Sequence, residues 1–431
     1  MNAQLEVSEN GRHLVDQKGK QFFWLGDTGW ALFQKTDRNE AREYIKNRSQ
    51  QGFSVIHAAV YHDNPFVLPP RSNSYGDLPF NNDDLRQANV TRGNDPSDSV
   101  EYDYWDHVEY IVDLAREEGL YILMLPVFGM AEDEGYNSIS EGNALQYGRF
   151  IGDRFKTKSN IIWCMGGDVR ADSESNKRVW NLLARGVTEG VCGREDYSKT
   201  LMTFHPRGGS ASSDFFTDVP WLDFHMVQTW SEYNSIYKVV AKDYRKNPPK
   251  PILHGEGAYE DGPEYPNKPI TPLIIRKQAY WAFFAGGMHT YGNSNVWNFG
   301  TNPKYVTQNW QDAVKSQGAT YLSRYREILE SLKWWEFQPD QTLLIDDDGG
   351  GLDLTVAMLS ADESRILVYF PNPGMVSMDI SRLNKSGTVH AFWIDPKTSV
   401  KSEKKRISRS EKAKFTVPTD WEDALLLLEA E

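Results

Sequence analysis

From Leu5 to Trp24, apolar and polar residues alternate around two turn signals, Glu9-Asn10-Gly11 and Gln17-Lys18-Gly19. That pattern predicts a β-hairpin leading into a strand. Beyond it the rhythm changes. Short apolar runs alternate with amphipathic stretches of roughly a dozen residues, as repeated β-α units around a parallel sheet require. Eight such runs occur, at 22–26, 53–61, 120–128, 160–167, 200–205, 222–228, 251–256 and 286–292. Eight is the number that closes a (β/α)8 barrel. Segments with helical spacing lie between them, among them 38–52, 104–119, 143–155, 176–190 and 271–286, and several stop at glycine, as helix C-caps do. The longest insertion, 62–101, is rich in Asn, Asp, Pro and Gly, follows the second run and predicts a loop at the C-terminal rim, where loops shape a substrate pocket.

An aromatic-rich helix is predicted over 319–337, ending before Pro339, after which the apolar period falls to two. Short strands separated by turn residues then predict an antiparallel β-sandwich. The chain is thus expected to divide into a barrel domain with its N-terminal hairpin, 1–338, and an accessory sandwich, 339–431. A length of 431 residues favours two domains over one core.

Composition narrows the function. Hydrophobic residues make up 39% and charged residues 25%, ordinary for a globular protein. A formal charge of −13 opposes a nucleic-acid partner, which is bound through clustered Lys and Arg. The 14 Trp and 21 Tyr suit stacking on sugar rings as well as packing. The two cysteines, Cys164 and Cys192, are too few for a disulfide framework, and no apolar run approaches the about 20 residues of a spanning helix. The first residues lack a basic segment followed by an apolar one. A cytoplasmic protein and a secreted or periplasmic one that has lost a leader both fit. The oligomeric state is left open.

In a (β/α)8 barrel the chemistry sits at the C-terminal ends of the strands, so polar residues closing each apolar run are the first candidates. They are Asp27 and nearby Trp30 after run one; Tyr61, His62 and Asp63 after run two; Asp168 after run four; and His205, Gln228, Glu256 and Tyr291 after runs five to eight, with Trp297 just beyond. Glycoside hydrolysis needs two carboxyl groups flanking the scissile bond, one to protonate the leaving oxygen and one to attack or activate water. Asp168 and Glu256 close runs that face each other across the barrel, and each follows glycine. The competing reading has both acids capping helices or pairing with Arg170 and other rim bases; for the two together, catalysis is the stronger expectation. Asp27 either binds substrate hydroxyls or caps the first helix, Trp30 is platform or packing, and Tyr291 donates to the nucleophile or fills the rim. His205 is expected to orient a catalytic carboxyl or a sugar, whereas His57, His225, His254 and His289 lie inside runs, as core histidines do. No H-E-x-x-H, paired Cys or phosphate-binding glycine loop is present, so neither a metal nor another cofactor is expected.

The segments RHLVDQKGKQFFWLGDTGW, YIKNRSQQGFSVIHAAVY, NIIWCMGGD and PILHGE resemble the apiosidase-like family of glycoside hydrolases over residues 1–335. The C-terminal part resembles the sandwich that often follows such domains, sometimes labelled collagen-binding, and is expected to brace the barrel. The resemblance implies a hydrolase of plant or microbial polysaccharide side chains, with Asp168 as acid/base and Glu256 as nucleophile in a retaining mechanism. In the wider superfamily the fourth strand usually ends in Asn-Glu; here it ends in Gly-Asp, one methylene shorter, which bears on the carboxyl spacing that separates retention from inversion. The alternatives are a barrel that binds carbohydrate without cleaving it and, more remotely, a peptidase, for which no nucleophile triad or metal site is in evidence.

Overall fold

A computed structural model describes residues 4–62, 68–129, 138–346, 348–383, 388–409 and 411–430. The N-terminal segment forms a small antiparallel sheet, Leu5–Val7 against Leu14–Asp16 against Gln21–Phe22. The barrel strands follow: β1 Leu25–Thr28, β2 Val55–Ala59, β3 Tyr121–Leu125, β4 Ile161–Val169, β5 Met202–Pro206, β6 His225–Gln228, β7 Ile252–Glu256 and β8 Met288–Tyr291. They pair in parallel in the order β5-β4-β3-β2-β1-β8-β7-β6. The ring closes between β5 and β6, where Asp223 donates its backbone N–H to the Met202 carbonyl at 2.9 Å and Thr203 Oγ1 donates to the Phe224 carbonyl at 2.8 Å. The strands read as unbroken apolar runs because both their faces are covered.

Among the described residues, the helices longer than one turn that surround the barrel are α1 Arg38–Gln50, α2 Tyr104–Glu117, α3 Ala144–Phe155, α4 Glu174–Cys192, α5 Ile236–Tyr244, α6 Pro272–Phe284 and α7 Gln317–Ser331. Asp37 opens α1 with a reciprocal capping box to Glu40, Asp103 does the same for α2 with Asp106, and Thr271 with Pro272 starts α6. Helix α4 stops at Gly193, whose φ of +77° is the left-handed cap that glycine takes without strain. No full helix follows β5 among the described residues. The chain instead turns back and lays Ser210–Ala211 antiparallel on the end of β6.

The insertion after β2 does less at the rim than the sequence predicts. Of its described residues only His62 lines the barrel pocket; Phe80 packs on Tyr61, Trp105 and Tyr147, holding the insertion against α2 and α3.

The C-terminal sandwich is a six-stranded antiparallel sheet, in spatial order Phe337–Pro339, Val356–Ser360, Arg365–Phe370, Ala424–Ala430, Val389–Ile394 and Lys405–Ile407, facing the pair Met375–Met378 and Ala413–Thr416. Its period of two sorts the side chains. Ala357, Leu359, Ile366, Val368, Leu426 and Leu428 meet Val376, Met378 and Phe415, while Val356, Met358, Leu367, Tyr369, Leu425 and Leu427 join the barrel's own core. Helix α6 lies between barrel and sheet and is buried from Ile275 to Phe284. At that contact the Arg276 guanidinium meets Asp423 in two bonds, Nε–Oδ2 at 2.9 Å and Nη2–Oδ1 at 2.7 Å, and Tyr280 stacks on Tyr369 at 4.5 Å. No helix among the described residues is long and apolar enough to cross a membrane.

Candidate active site

A pocket of about 700 Å³ opens at the C-terminal end of the barrel, lined by Trp30, His62, Phe128, Asp168, Gln228 and Glu256 together with Arg207, Trp230, Tyr259, Glu264, Tyr265, Trp297, Lys304 and Tyr305. That is ligand-pocket size, with aromatic walls around a few polar groups.

Both carboxylates reach it by way of irregular backbone. On β4, Gly166 pairs with His205 and the next pair is Val169 with Pro206, so Gly167 and Asp168 are extruded between them. Gly166, Gly167 and Asp168 all have positive φ, +92°, +110° and +53°. A Cβ on Gly166 would lie 2.5 Å from the His205 carbonyl oxygen, and one on Gly167 2.7 Å from Phe128 Cα, so glycine is required at both. On β7, His254 pairs with Val227 and Glu256 with Gln228, leaving Gly255 as the extra residue. Without it Glu256 would share the face of His254, which turns away to bond Thr229 Oγ1 and His289. Bulges of this kind re-aim side chains beside sites, and here one contains Asp168 and another precedes Glu256.

His205 lies between the two acids. Its Nε2 is 3.0 Å from Glu256 Oε2, and its Nδ1 accepts the Asp168 backbone N–H at 3.2 Å. In the neutral ring that bond places the proton on Nε2, donated to Glu256. Burial works to lower the His205 pKa, but the hydrogen bond and charge of Glu256, with Asp168 adding, outweigh it and leave it raised. The rings of Trp30 and Phe128, 5.2 and 5.7 Å away, fix the imidazole plane. Glu256 is 8% exposed and Asp168 26%. Burial, reinforced by the Glu256 charge, pushes the Asp168 carboxyl up to about 6. Gln228 hydrogen-bonds that carboxylate, and its own Oε1 has no hydrogen-bond partner, nor has Asp168 Oδ1.

Asp168, His205 and Glu256 each offer one donor atom within 4.8 Å of the others, a spacing that a divalent cation could use. Both imidazole nitrogens are already committed, however, one to a backbone N–H and one to Glu256. A metal would have to displace the bond that holds Glu256.

The sequence-derived residues fall into two groups. Asp168, Glu256, His205, Gln228, Trp30, His62 and Trp297 come together: six line the pocket, and His205 lies beneath it, fully buried. Asp27, Tyr61 and Tyr291 do not line it. Asp27 is fully buried, its Oδ2 taken by Arg48 Nε at 2.6 Å and Tyr44 Oη at 2.5 Å, so it neither meets a sugar nor caps a helix. Tyr291 donates to Glu260 Oε2 at 2.6 Å rather than to Glu256. Tyr61 is buried beneath Arg71 and Phe80. Asp63 lies outside the described residues. Sequence reasoning missed Phe128, because the strand-end filter sought polar groups, and Trp230, Tyr259 and Tyr265, which lie two to nine residues beyond strand ends. Widening that filter to include aromatics a few residues farther on would have found Trp230 and Tyr259.

Comparison with known proteins identifies the family and the fold. Residues 8–336 match the profile of the "Apiosidase-like, catalytic domain", and residues 338–429 that of the "Putative collagen-binding domain of a collagenase". No protein of curated function matches the sequence. Two similar solved structures are a glycoside hydrolase, 28% identical, covering 100% of this chain and 97% of its own with a TM-score of 0.84, and a glycoside hydrolase family 5 protein from Bacteroides vulgatus, 28% identical, covering 99% and 93% with a TM-score of 0.85. With a family profile spanning most of its length and a barrel whose two facing strand ends carry carboxylates, the chain belongs to the apiosidase-like glycoside hydrolases.

Proposed function

We propose that the enzyme removes side-chain sugars from plant or microbial polysaccharides with retention of anomeric configuration, Glu256 attacking the anomeric carbon and Asp168 acting first as acid and then as base. The observation that carries this reading is the spacing of the pair. One oxygen of each carboxylate lies within 4.8 Å of an oxygen of the other, a close approach in keeping with the carboxyl groups about 5–5.5 Å apart in retaining enzymes.

The roles follow from the electrostatics. A carboxyl raised to about 6 keeps its proton in mildly acidic solution and can protonate the leaving oxygen. Glu256, accepting a hydrogen bond from His205, is oriented for attack. In the first step the Glu256 oxygen bonds the anomeric carbon as the glycosidic C–O bond breaks and the Asp168 proton moves to the departing oxygen. In the second, Asp168 takes a proton from water, which displaces Glu256. The unpartnered Gln228 Oε1 suits a sugar hydroxyl, and Trp30, His62 and Trp297 suit the sugar face and rim. Residues 1–338 act in this reading as the catalytic domain and 339–431 as its brace, supported by two family profiles that meet between 336 and 338.

The test is sugar release from pectic and hemicellulosic polysaccharides, with the anomer formed first followed by NMR. Release by the wild type, abolished in both Asp168→Ala and Glu256→Ala and giving the retained anomer, supports the reading. The inverted anomer overturns retention, activity in either variant overturns the residue pair, and binding without release by any protein favours the non-cleaving barrel.

A further inference from the structure

We infer that Trp230 is the platform for the leaving-group sugar, and thereby selects the chain from which the terminal sugar is removed. The inference rests on the glycosidase reading above. Trp230 follows β6 by two residues, lines the pocket and is 42% exposed, unusual for so large an apolar side chain. Its backbone is in the left-handed region, φ +48°, a conformation that a bulky residue adopts only when its surroundings hold it there.

Those surroundings are specific. The turn after β5 carries Gly208, where a Cβ would lie 3.2 Å from Trp230 Cβ, so the lack of a side chain there lets the indole's base sit against the turn. Gly209 N–H donates to the Gln228 carbonyl at 2.9 Å, and Ser210–Ala211 pairs with Val227 and Gln228, tying the turn to the residues just before Trp230. The indole also meets the Tyr265 ring at 5.5 Å. It is thus held by both contacts but left partly open, lining the pocket.

Its position decides which sugar it would stack on. The same turn bonds β4 beside the acid, the Arg207 N–H donating to the Val169 carbonyl at 3.0 Å, one residue from Asp168. The group that protonates the glycosidic oxygen stands on the leaving-group side of the bond. Trp30 is tied instead to the nucleophile's side, its ring 5.2 Å from His205, and it is linked to Tyr259 and Trp297: Trp30 Nε1 donates to Tyr259 Oη at 2.7 Å, and the Ala31 N–H donates to the Trp297 carbonyl at 3.0 Å. Along this aromatic lining, Trp30 by His205 falls to the sugar being transferred, and Trp230, beside the turn bonded to the acid's strand, to the sugar that departs. The apolar CH face of a sugar ring matches an indole plane.

The experiment compares wild type, Trp230→Ala and Trp230→Phe on two substrates that share the transferred sugar: an oligosaccharide from a pectin or hemicellulose digest, and the glycosyl fluoride of whichever sugar the wild type releases. Fluoride fills no leaving-group platform. The expected result is that Trp230→Ala lowers the ratio of kcat/KM on the oligosaccharide to that on the fluoride by about tenfold, the scale of a lost aromatic stack, mainly through KM, and that Trp230→Phe recovers part of it. An equal fall on both substrates, or no fall, overturns the platform. If the wild type releases no sugar from any digest, isothermal titration calorimetry with the digests decides the matter. A binding response lost in Trp230→Ala keeps the platform while the glycosidase reading falls, whereas no response, or one unchanged in the variant, overturns the platform too.

Discussion

Replacing Asp168 with Asn should make the protein more stable at pH 8, and by an amount that can be worked out. The folded chain raises this carboxyl from 3.8 to about 6, chiefly by burial and then by the Glu256 charge. Each pKa unit corresponds to about 1.4 kcal/mol, so keeping Asp168 ionised in the fold costs roughly 3 kcal/mol. The sign follows from proton uptake. Between pH about 4 and 6 the folded protein holds a proton that the unfolded chain has released, so the contribution to stability is fully present below pH 4 and is lost as pH rises through 6. The neutral amide in Asp168→Asn carries no such penalty. For 431 residues the unfolding entropy near the midpoint is about 0.9 kcal/mol/K, which converts roughly 3 kcal/mol into a Tm gain of about 3 °C. Scanning calorimetry of both proteins at pH 4 and pH 8 measures it: the variant-minus-wild-type gap should open by about 3 °C at the higher pH while sugar release disappears. A gap independent of pH would show that Asp168 is not a strained acid, and the acid/base assignment would lose its electrostatic support.

The same carboxyl should place the alkaline limb of the kcat/KM profile near pH 6, falling about tenfold per unit above it; a profile flat to pH 8 would assign the proton to another group. Gly167→Ala adds a Cβ 2.7 Å from Phe128 Cα at a φ of +110°, so the bulge must shift, and about 10²-fold of kcat is expected to go with the displaced Asp168, read by single-turnover kinetics beside an unchanged far-UV spectrum. Asp423→Ala leaves Arg276 buried without its bidentate partner, a loss of about 3–5 kcal/mol and, on the same entropy, about 3–5 °C in Tm. Chelator treatment should leave the rate of sugar release unchanged, because the His205 nitrogens are spent on Asp168 N–H and Glu256; loss of activity restored by a divalent cation would reverse that reading.

The barrel was legible because its signal is long-range and redundant: eight apolar runs with amphipathic stretches between them tolerate errors of two or three residues at each end. The site was legible where a strand end alone determines direction. It failed where the face of the strand decides. Asp27 and Tyr291 are register partners on adjacent strands and both turn outward to buried partners, Arg48 and Glu260, instead of into the mouth. Alternation along each strand distinguishes these faces, yet on β4 and β7 bulges break that alternation, so counting by twos would have misplaced Glu256. The glycines before Asp168 and Glu256 were visible in the sequence, but their effect, letting an extra residue reverse the side chain, follows only from the pairing. Trp230 was hidden for another reason: its exposure and left-handed backbone depend on a turn from the neighbouring strand that ordinary helical periodicity does not foresee.

Helix α6, enclosed on both sides, constrains how this protein can have changed over time. In a barrel standing alone, a peripheral helix keeps a wet face, and the segment can be cut free or joined to new partners at little cost. Here Arg276, Tyr280 and Trp281 of that helix are each 1% exposed or less because the C-terminal sheet covers them. Severing the chain near 338 would leave the barrel with a greasy flank and an orphaned guanidinium. A form of the chain without the sheet would need a different surface on the helix beneath it.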